Sequence, residues 1–261
     1  MHLLMSISLA TSPVAPRTDG GTVVVAVPLA PFRAPAAPYE RVCQIAWYLK
    51  SHKPNSKVLV LDANPDIVSK GALFRRAWQE LYPAMVEYRP GTRVTGVDTK
   101  AMTLETPSGR VKGAVVNLIP PQRAADLAHR AGLTGDDRRW CPVNQITFES
   151  LRAPGVHVIG DACSAGAMPK SGFAAGSQGR AAALNVVALL QGQEPVSPVH
   201  LDVAYSYVND WEAMSLANVY RVVGGNTVAV PGAGGLSNNW SELEGLHARS
   251  WFRNALAEMS S

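Results

Sequence analysis

Two apolar runs restrict this chain more than anything else in it. TVVVAV at 22–27 is a continuous β-branched run bounded by Gly and Pro, and SKVLVLDAN at 56–64 is a second, largely aliphatic run. Such runs read as strands buried on both faces. Between them, PLAPFRAPAAP at 28–38 carries too many prolines for a helix or a central strand. YERVCQIAWYLK, from Tyr39 to Lys50, then places apolar residues at helical spacing. A strand, a loop, a helix and a second strand make the unit from which a parallel, doubly wound sheet is built. The second strand ends on Asp62, a position that can hold a nucleotide ribose when the first turn reads G-x-G-x-x-G. Here the first turn is the proline-rich segment, so Asp62 is read as a strand-end turn residue.

GALFRRAWQELY at 71–82 reads as a second amphipathic helix. Residues 85–120 alternate in polarity around PGT and PSG, which predicts an antiparallel meander followed by the apolar strand VVNLIP. Residues 120–133 turn into a helix. WCPVN (140–144) and ITFES (146–150) lead to a short strand, VHVIG, and a helix is expected from Gln178 to Leu190. Beyond a Pro-rich linker, residues 195–261 carry Trp211, Trp240 and Trp251, two Gly-rich turns (VVGGN and PGAGGLSNN) and a final amphipathic helix. They read as a small appended domain.

Composition narrows the function classes. The 261 residues are 47% hydrophobic and 17% charged, ordinary for one large or a few small globular domains. The net charge of +4 is spread along the chain, with no Lys/Arg stripe interleaved with aromatics, so no nucleic-acid partner is expected. Cys43, Cys141 and Cys163 form no CxxC, zinc or CxxCH pattern, so no metal site or covalent haem is expected. No apolar run reaches the length of a membrane span. MHLLMSISLATSPVAP lacks a basic n-region. Residues 1–18 therefore read as a disordered leader rather than an export signal.

Residues 156–180, VHVIGDACSAGAMPKSGFAAGSQGR, carry the candidate chemistry. Gly160 removes a side chain where a cofactor could approach the backbone. Asp161 offers acceptors for sugar-type hydroxyls. The MPKSG loop and the following helix N-terminus present a cation and free N–H groups to an electron-rich ring edge. These suit a flavin, whose reduction places negative charge on its pyrimidine edge. The same residues also make an ordinary strand–turn–helix with a capping Asp, and the residues alone leave both readings open.

PYERVCQIAWYLKSHKP, VVNLIPPQRA, WCPVN-x-x-TFES, GVHVIGDAC, MPKSGFAAGSQG and ALLQGQEP, in this order, resemble the flavoprotein subunit of flavocytochrome c sulfide dehydrogenase over about residues 19–261. More distantly the chain is similar to sulfide:quinone reductases and glutathione-reductase-like flavoproteins. The resemblance implies an α/β fold. Residues 19–120 would be a Rossmann-like second nucleotide domain, 121–194 the C-terminal half of an FAD domain, and 195–261 a small α+β domain that covers the flavin and docks a cytochrome. It implies FAD as cofactor, with Gly160 and Asp161 near the ribityl and phosphate region and Met168, Pro169, Lys170, Ser171 and Gly172 beside the isoalloxazine. It also implies a c-type cytochrome partner, a reduced sulfur substrate and a periplasmic location.

Two departures accompany the match. No G-x-G-x-x-G occurs anywhere, so the expected first Rossmann half is missing and the chain reads as the later two-thirds of such a flavoprotein. The positions of the family's redox disulfide are Ala34 (in PFRA) and Ala204 (in LDVAYS), and alanine can neither form a disulfide nor attack sulfur. Impaired turnover is therefore expected. The alternatives are a non-catalytic docking relative and a flavin oxidoreductase for another substrate. Cys43 and Cys163 read as core, Cys141 as a residue near a crossover, and none of the three as catalytic. His157 is read as a satisfied core residue, Lys170 as the cation near the flavin, and Arg123 as facing either the crevice or solvent.

Overall fold

A computed structural model describes residues 18–260; the expected leader lies outside the described residues but for Thr18. The predicted strands form. β1 (Thr22–Val27) runs parallel to both β2 (Lys57–Asp62) and β7 (Val115–Leu118). β3 (Val86–Arg89) adds parallel to β2, giving the order β3-β2-β1-β7. Both faces of β1 are covered. Val23 and Val25 point to one side, into a cluster with Tyr39, Phe74 and Trp78. Val24 and Ala26 point to the other, against Leu59, Leu61 and Leu104. The strand repeat of two residues explains the division.

The first cluster is closed by α1 (Ala37–His52) and α2 (Gly71–Leu81). Val42, Cys43, Ile45, Ala46 and Leu49 make the buried stripe of α1. The helix starts before the expected Tyr39, because Pro38 in the first turn removes a donor that no intrahelical acceptor would reach. Asp62 is fully buried at the end of β2. It accepts from the Tyr39 hydroxyl at 2.8 Å, the Tyr88 hydroxyl at 3.0 Å and the Asn64 N–H at 2.9 Å. It ties a strand end, a helix and β3 together, in keeping with its reading as a turn residue.

Four sequence expectations are corrected. Only part of the 85–120 stretch is an antiparallel meander: β4 (Gly96–Asp98), β5 (Thr103–Thr106) and β6 (Gly109–Lys112). β3 belongs to the parallel sheet, and its alternating burial is that of an edge strand, which polarity alone does not distinguish from a hairpin strand. The 120–133 helix shrinks to α3 (Asp126–Arg130), because Pro120 and Pro121 hold the approach extended. The run VHVIG contributes one bridge, His157 to Glu149, rather than a strand. It has no second strand beside it among the described residues, and Val156 and Ile159 stay 39% and 42% exposed. Finally, PGAGG lies inside a strand instead of making a turn.

The short parallel pair β8 (Cys141–Pro142) and β9 (Cys163–Ser164) leads into α4 (Gly172–Leu190), which begins well before the expected Gln178. The C-terminal sheet follows: β10 (Val199–Tyr207), β11 (Ala213–Val223) and β12 (Asn226–Leu236), antiparallel in that order, with α5 (Glu242–Ser260) packed on it. Gly224 and Gly225, both at positive φ, form the β11–β12 turn as VVGGN predicts. In β12, Gly234 (φ 139°) sits where a Cβ would strike the Ala217 carbonyl, beside a register shift between Asn218 and Tyr220. The glycines of PGAGG thus serve a bulge. The C-terminal sheet packs against the first cluster. Val208, Met214 and Trp240 join the core beneath α1, and Gln44 Nε2 donates to the Asn209 carbonyl at 2.9 Å.

Candidate functional site

α1 with the loop before it, the N-terminus of α4 and the C-terminal sheet meet around a chamber of about 690 Å³. Its walls include Ala34 and Pro35 from the loop before α1, Pro169 and Gly172 before and at the start of α4, and Ala204 from β10. Aromatic side chains of α5, Trp251 and Phe252, close one side.

Each wall is fixed locally. Ala34 takes a left-handed conformation (φ 49°), and its N–H donates to the Lys170 carbonyl at 2.7 Å, pinning the proline-rich loop to the MPKSG loop. Ser171 caps α4: its Oγ accepts from Ala174 N–H at 3.0 Å and donates to the buried Asp202 carboxylate. That cap is why the Gly/Ala-rich segment is helical from Gly172 onward. The N–H groups of Gly172 and Phe173 have no intrahelical acceptor in a first turn, and both residues line the chamber. Phe173 stacks on Trp251, with centroids 6.2 Å apart and planes 23° apart.

Of the residues singled out by sequence, Pro169, Ser171 and Gly172 line the chamber, while Gly160, Asp161, Met168 and Lys170 do not. The latter form a layer behind α4. Gly160, in a single 3₁₀ turn with Asp161, has φ 71° and donates its N–H to Gln178 Oε1 at 2.6 Å. Asp161 lies 3.7 Å from Arg33 in a partly exposed pair. Met168 is buried, with Gln178 Nε2 3.8 Å from its sulfur. Lys170 donates to the carbonyls of Asp161 (2.9 Å) and Cys163 (2.7 Å), and its Nζ stands 3.8 Å above the Trp140 ring. Burial lowers the Lys170 pKa, partly offset by Cys163 and Asp161. The ammonium is committed to the fold of this loop. His157 Nδ1 lies 2.8 Å from the Thr147 carbonyl, and Arg123 is exposed and paired with Asp126.

The cysteines are free and buried. Burial pushes the Cys163 thiol up to about 11 and raises Cys43 and Cys141 as well. None is poised as a thiolate. Among the described residues no group of three or more His, Cys, Asp or Glu is placed to hold a metal, and no helix is long and apolar enough to cross a membrane.

Sequence reasoning passed over the most unusual wall. Glu40, in the first turn of α1, is half-buried and accepts the Tyr207 N–H at 3.0 Å. Asp202 is 2% exposed. Lys70, 5% exposed and at φ 58°, donates to Ser206 Oγ at 2.8 Å. Burial raises both carboxylates and lowers the lysine. The available signal was a charge inside an apolar context: Glu40 in PYERV and Asp202 in LDVAYS.

The chamber fits the ring end of FAD. It has the volume of a cofactor pocket, donors at a helix N-terminus, and room at Gly172, where a Cβ would meet only the edge of Trp251 at 3.9 Å. No Gly-rich phosphate loop accompanies it in the sequence.

Residues 10–120 match the family described as "Sulfide dehydrogenase [flavocytochrome c] flavoprotein chain, central". Residues 197–259 match "Flavocytochrome c sulphide dehydrogenase, flavin-binding". The first match begins inside the stretch read as a leader, and the segment holding Gly160 to Gly172 lies between the two matches. Among solved structures, a chain in the Tetrahymena thermophila mitochondrial ATP synthase F1Fo tetramer is similar in fold at 16% identity and TM-score 0.60, over 82% of this chain. This chain covers 52% of that one, about half its length. With the matched segments holding the parallel sheet with its helices and the C-terminal sheet, the chain belongs to the flavocytochrome c sulfide dehydrogenase flavoprotein family.

Proposed function

We propose that this chain forms the ring-binding part of an FAD-dependent oxidoreductase of the sulfide dehydrogenase type, passing electrons from a reduced sulfur compound through FAD to a c-type cytochrome in the periplasm. The observation that carries the reading is the chamber itself. The α4 N-terminus, the loop before α1 and β10 converge on one cavity, and the two segments matched to the family supply most of its wall. Bound FAD supplies a two-electron acceptor that can release electrons one at a time. The chain's own residues orient and shield it. Gly172 and Phe173 N–H groups would hold the electron-rich edge, Trp251 and Phe252 exclude water, and Ser171 fixes the helix start. Gly160, Asp161 and Lys170 support that helix start from behind.

Ala34 and Ala204 both line this chamber. With methyl groups there, sulfur cannot be held covalently at those positions, so direct reduction by sulfide is expected to be slow or absent. The same observation favours a second reading, a relative that keeps the fold and docking surface without turnover. The purified chain decides between them. Stoichiometric flavin absorption supports the oxidoreductase. A colourless protein that takes up no added FAD leaves the non-catalytic relative. In flavin-loaded protein, fast bleaching by sulfide with sulfur deposition would overturn the impairment.

A further inference from the structure

Cys141 and Cys163 lie directly opposite one another. They are Cα partners in the parallel pair β8 and β9. Side chains alternate along each strand, so residues paired across a ladder share one face of it. Neighbouring strands run about 4.8 Å apart, and a disulfide joins Cα atoms about 4.4–6.8 Å apart. The backbone therefore already holds these two cysteines at bonding range. Cys43 is elsewhere, on α1 in the first cluster, with Trp78 Nε1 3.3 Å from its sulfur.

From this register we infer that Cys141 and Cys163 are an oxidisable pair, which closes a disulfide when the chain folds in the presence of a low-molecular-weight disulfide. One S–S bond forms between Cys141 Sγ and Cys163 Sγ. The S–S bond of the small disulfide breaks, and its two sulfurs leave as thiols with the two electrons and two protons that the cysteines give up. Closure belongs to folding rather than to the finished protein, because the folded chain buries both residues, at 0% and 1% exposure. Burial also raises both thiols, against the opposing effect of the Lys170 ammonium that donates to the Cys163 carbonyl at 2.7 Å. In protein kept reduced, all three thiols stay free.

The bond asks little of the surrounding fold. In the reduced chain Cys163 Sγ lies 3.2 Å from the Gly160 carbonyl and 3.5 Å from Gln178 Oε1. A thiol is a weak donor, and Gln178 Oε1 keeps the Gly160 N–H at 2.6 Å. Turning the sulfur toward Cys141 thus gives up little. What the bond closes is the loop that contains VHVIG, the run with no strand beside it among the described residues. A covalent tie at the base of that loop restricts the unfolded chain and holds β9 where it leads into α4. Neither cysteine lines the chamber, so the bond forms with or without flavin.

The test refolds the unfolded, reduced full chain in a buffer of reduced and oxidised glutathione, then alkylates it under denaturing conditions and maps its peptides by mass. Two of the three thiols should be lost to alkylation, with one peptide pair joined through Cys141 and Cys163 and with Cys43 alkylated. Cys43→Ser should leave that pair joined, while Cys141→Ser and Cys163→Ser should each abolish it. Three alkylated cysteines, glutathione adducts alone, or a bond to Cys43 would overturn the inference. Should the unfolded chain not return to its native form, the native reduced chain is held in the same buffer with urea just below the unfolding midpoint, where local opening exposes the pair. The same peptide map then decides, with the same outcomes.

Discussion

Ser171→Ala tests the junction on which the chamber depends. The Ser171 hydroxyl accepts the Ala174 N–H at 3.0 Å and donates to the carboxylate of Asp202, which is 2% exposed. Losing a serine cap costs about 1 kcal/mol. Removing a hydrogen bond from a buried charged group costs about 1.5–3 kcal/mol. Together they predict a loss of about 2–4 kcal/mol, read as a shift in the urea midpoint with an unchanged denaturant slope. Asp202→Asn in the Ser171→Ala background should recover part of it, because the uncompensated charge is gone. The cycle should therefore show coupling of about 1 kcal/mol or more. A loss below about 0.5 kcal/mol, or strictly additive single variants, would refute the claim that this pair holds the α4 N-terminus against β10.

The buried charges predict a two-limbed pH profile. Glu40 and Asp202 have raised folded pKa values, so the folded state binds more protons than the unfolded one, and stability falls as pH rises from about 4 through those values. Lys70 is lowered, so stability recovers as pH rises from its folded value toward about 10, and Lys70→Met should flatten that alkaline limb in thermal melts. Gly234→Ala should destabilise by about 1–3 kcal/mol, since the glycine holds φ 139° against the Ala217 carbonyl; denaturation within 0.5 kcal/mol of wild type would contradict the bulge account. The three thiols should react with a disulfide reagent only after unfolding, and rapid labelling of Cys163 in the native protein would contradict the burial that raises it.

The parallel sheet was legible because TVVVAV and KVLVLD satisfy both burial and length, and α1 because its apolar spacing is clean. The fate of VHVIG was not legible, since a strand exists only with a neighbour and a run of apolar residues does not state whether one is present. PGAGG looked like a turn because glycine permits turns and bulges alike; only the backbone of Ala217 decides. At the site, Ser171 and Gly172 came with the family resemblance, since apolar spacing alone starts the helix at Gln178 and leaves the Gly/Ala-rich first turns unread. The family resemblance puts Lys170 near the cofactor; in the fold its ammonium donates to the carbonyls of Asp161 and Cys163. Lys70, Glu40 and Asp202 come from three separate elements, and no local pattern brings them together.

The central claim is that the chamber accepts a flavin ring at the start of α4. It is tested most directly by titrating the chain with FAD, following the visible spectrum of the retained flavin, and repeating the titration with Gly172→Phe. At Gly172 a Cβ meets nothing nearer than Trp251 at 3.9 Å, so the larger side chain should fill the chamber without disturbing the fold. The account predicts flavin retained by the wild-type chain and lost from a Gly172→Phe protein with a normal melting profile. Equal retention by both, or none by either, would contradict it.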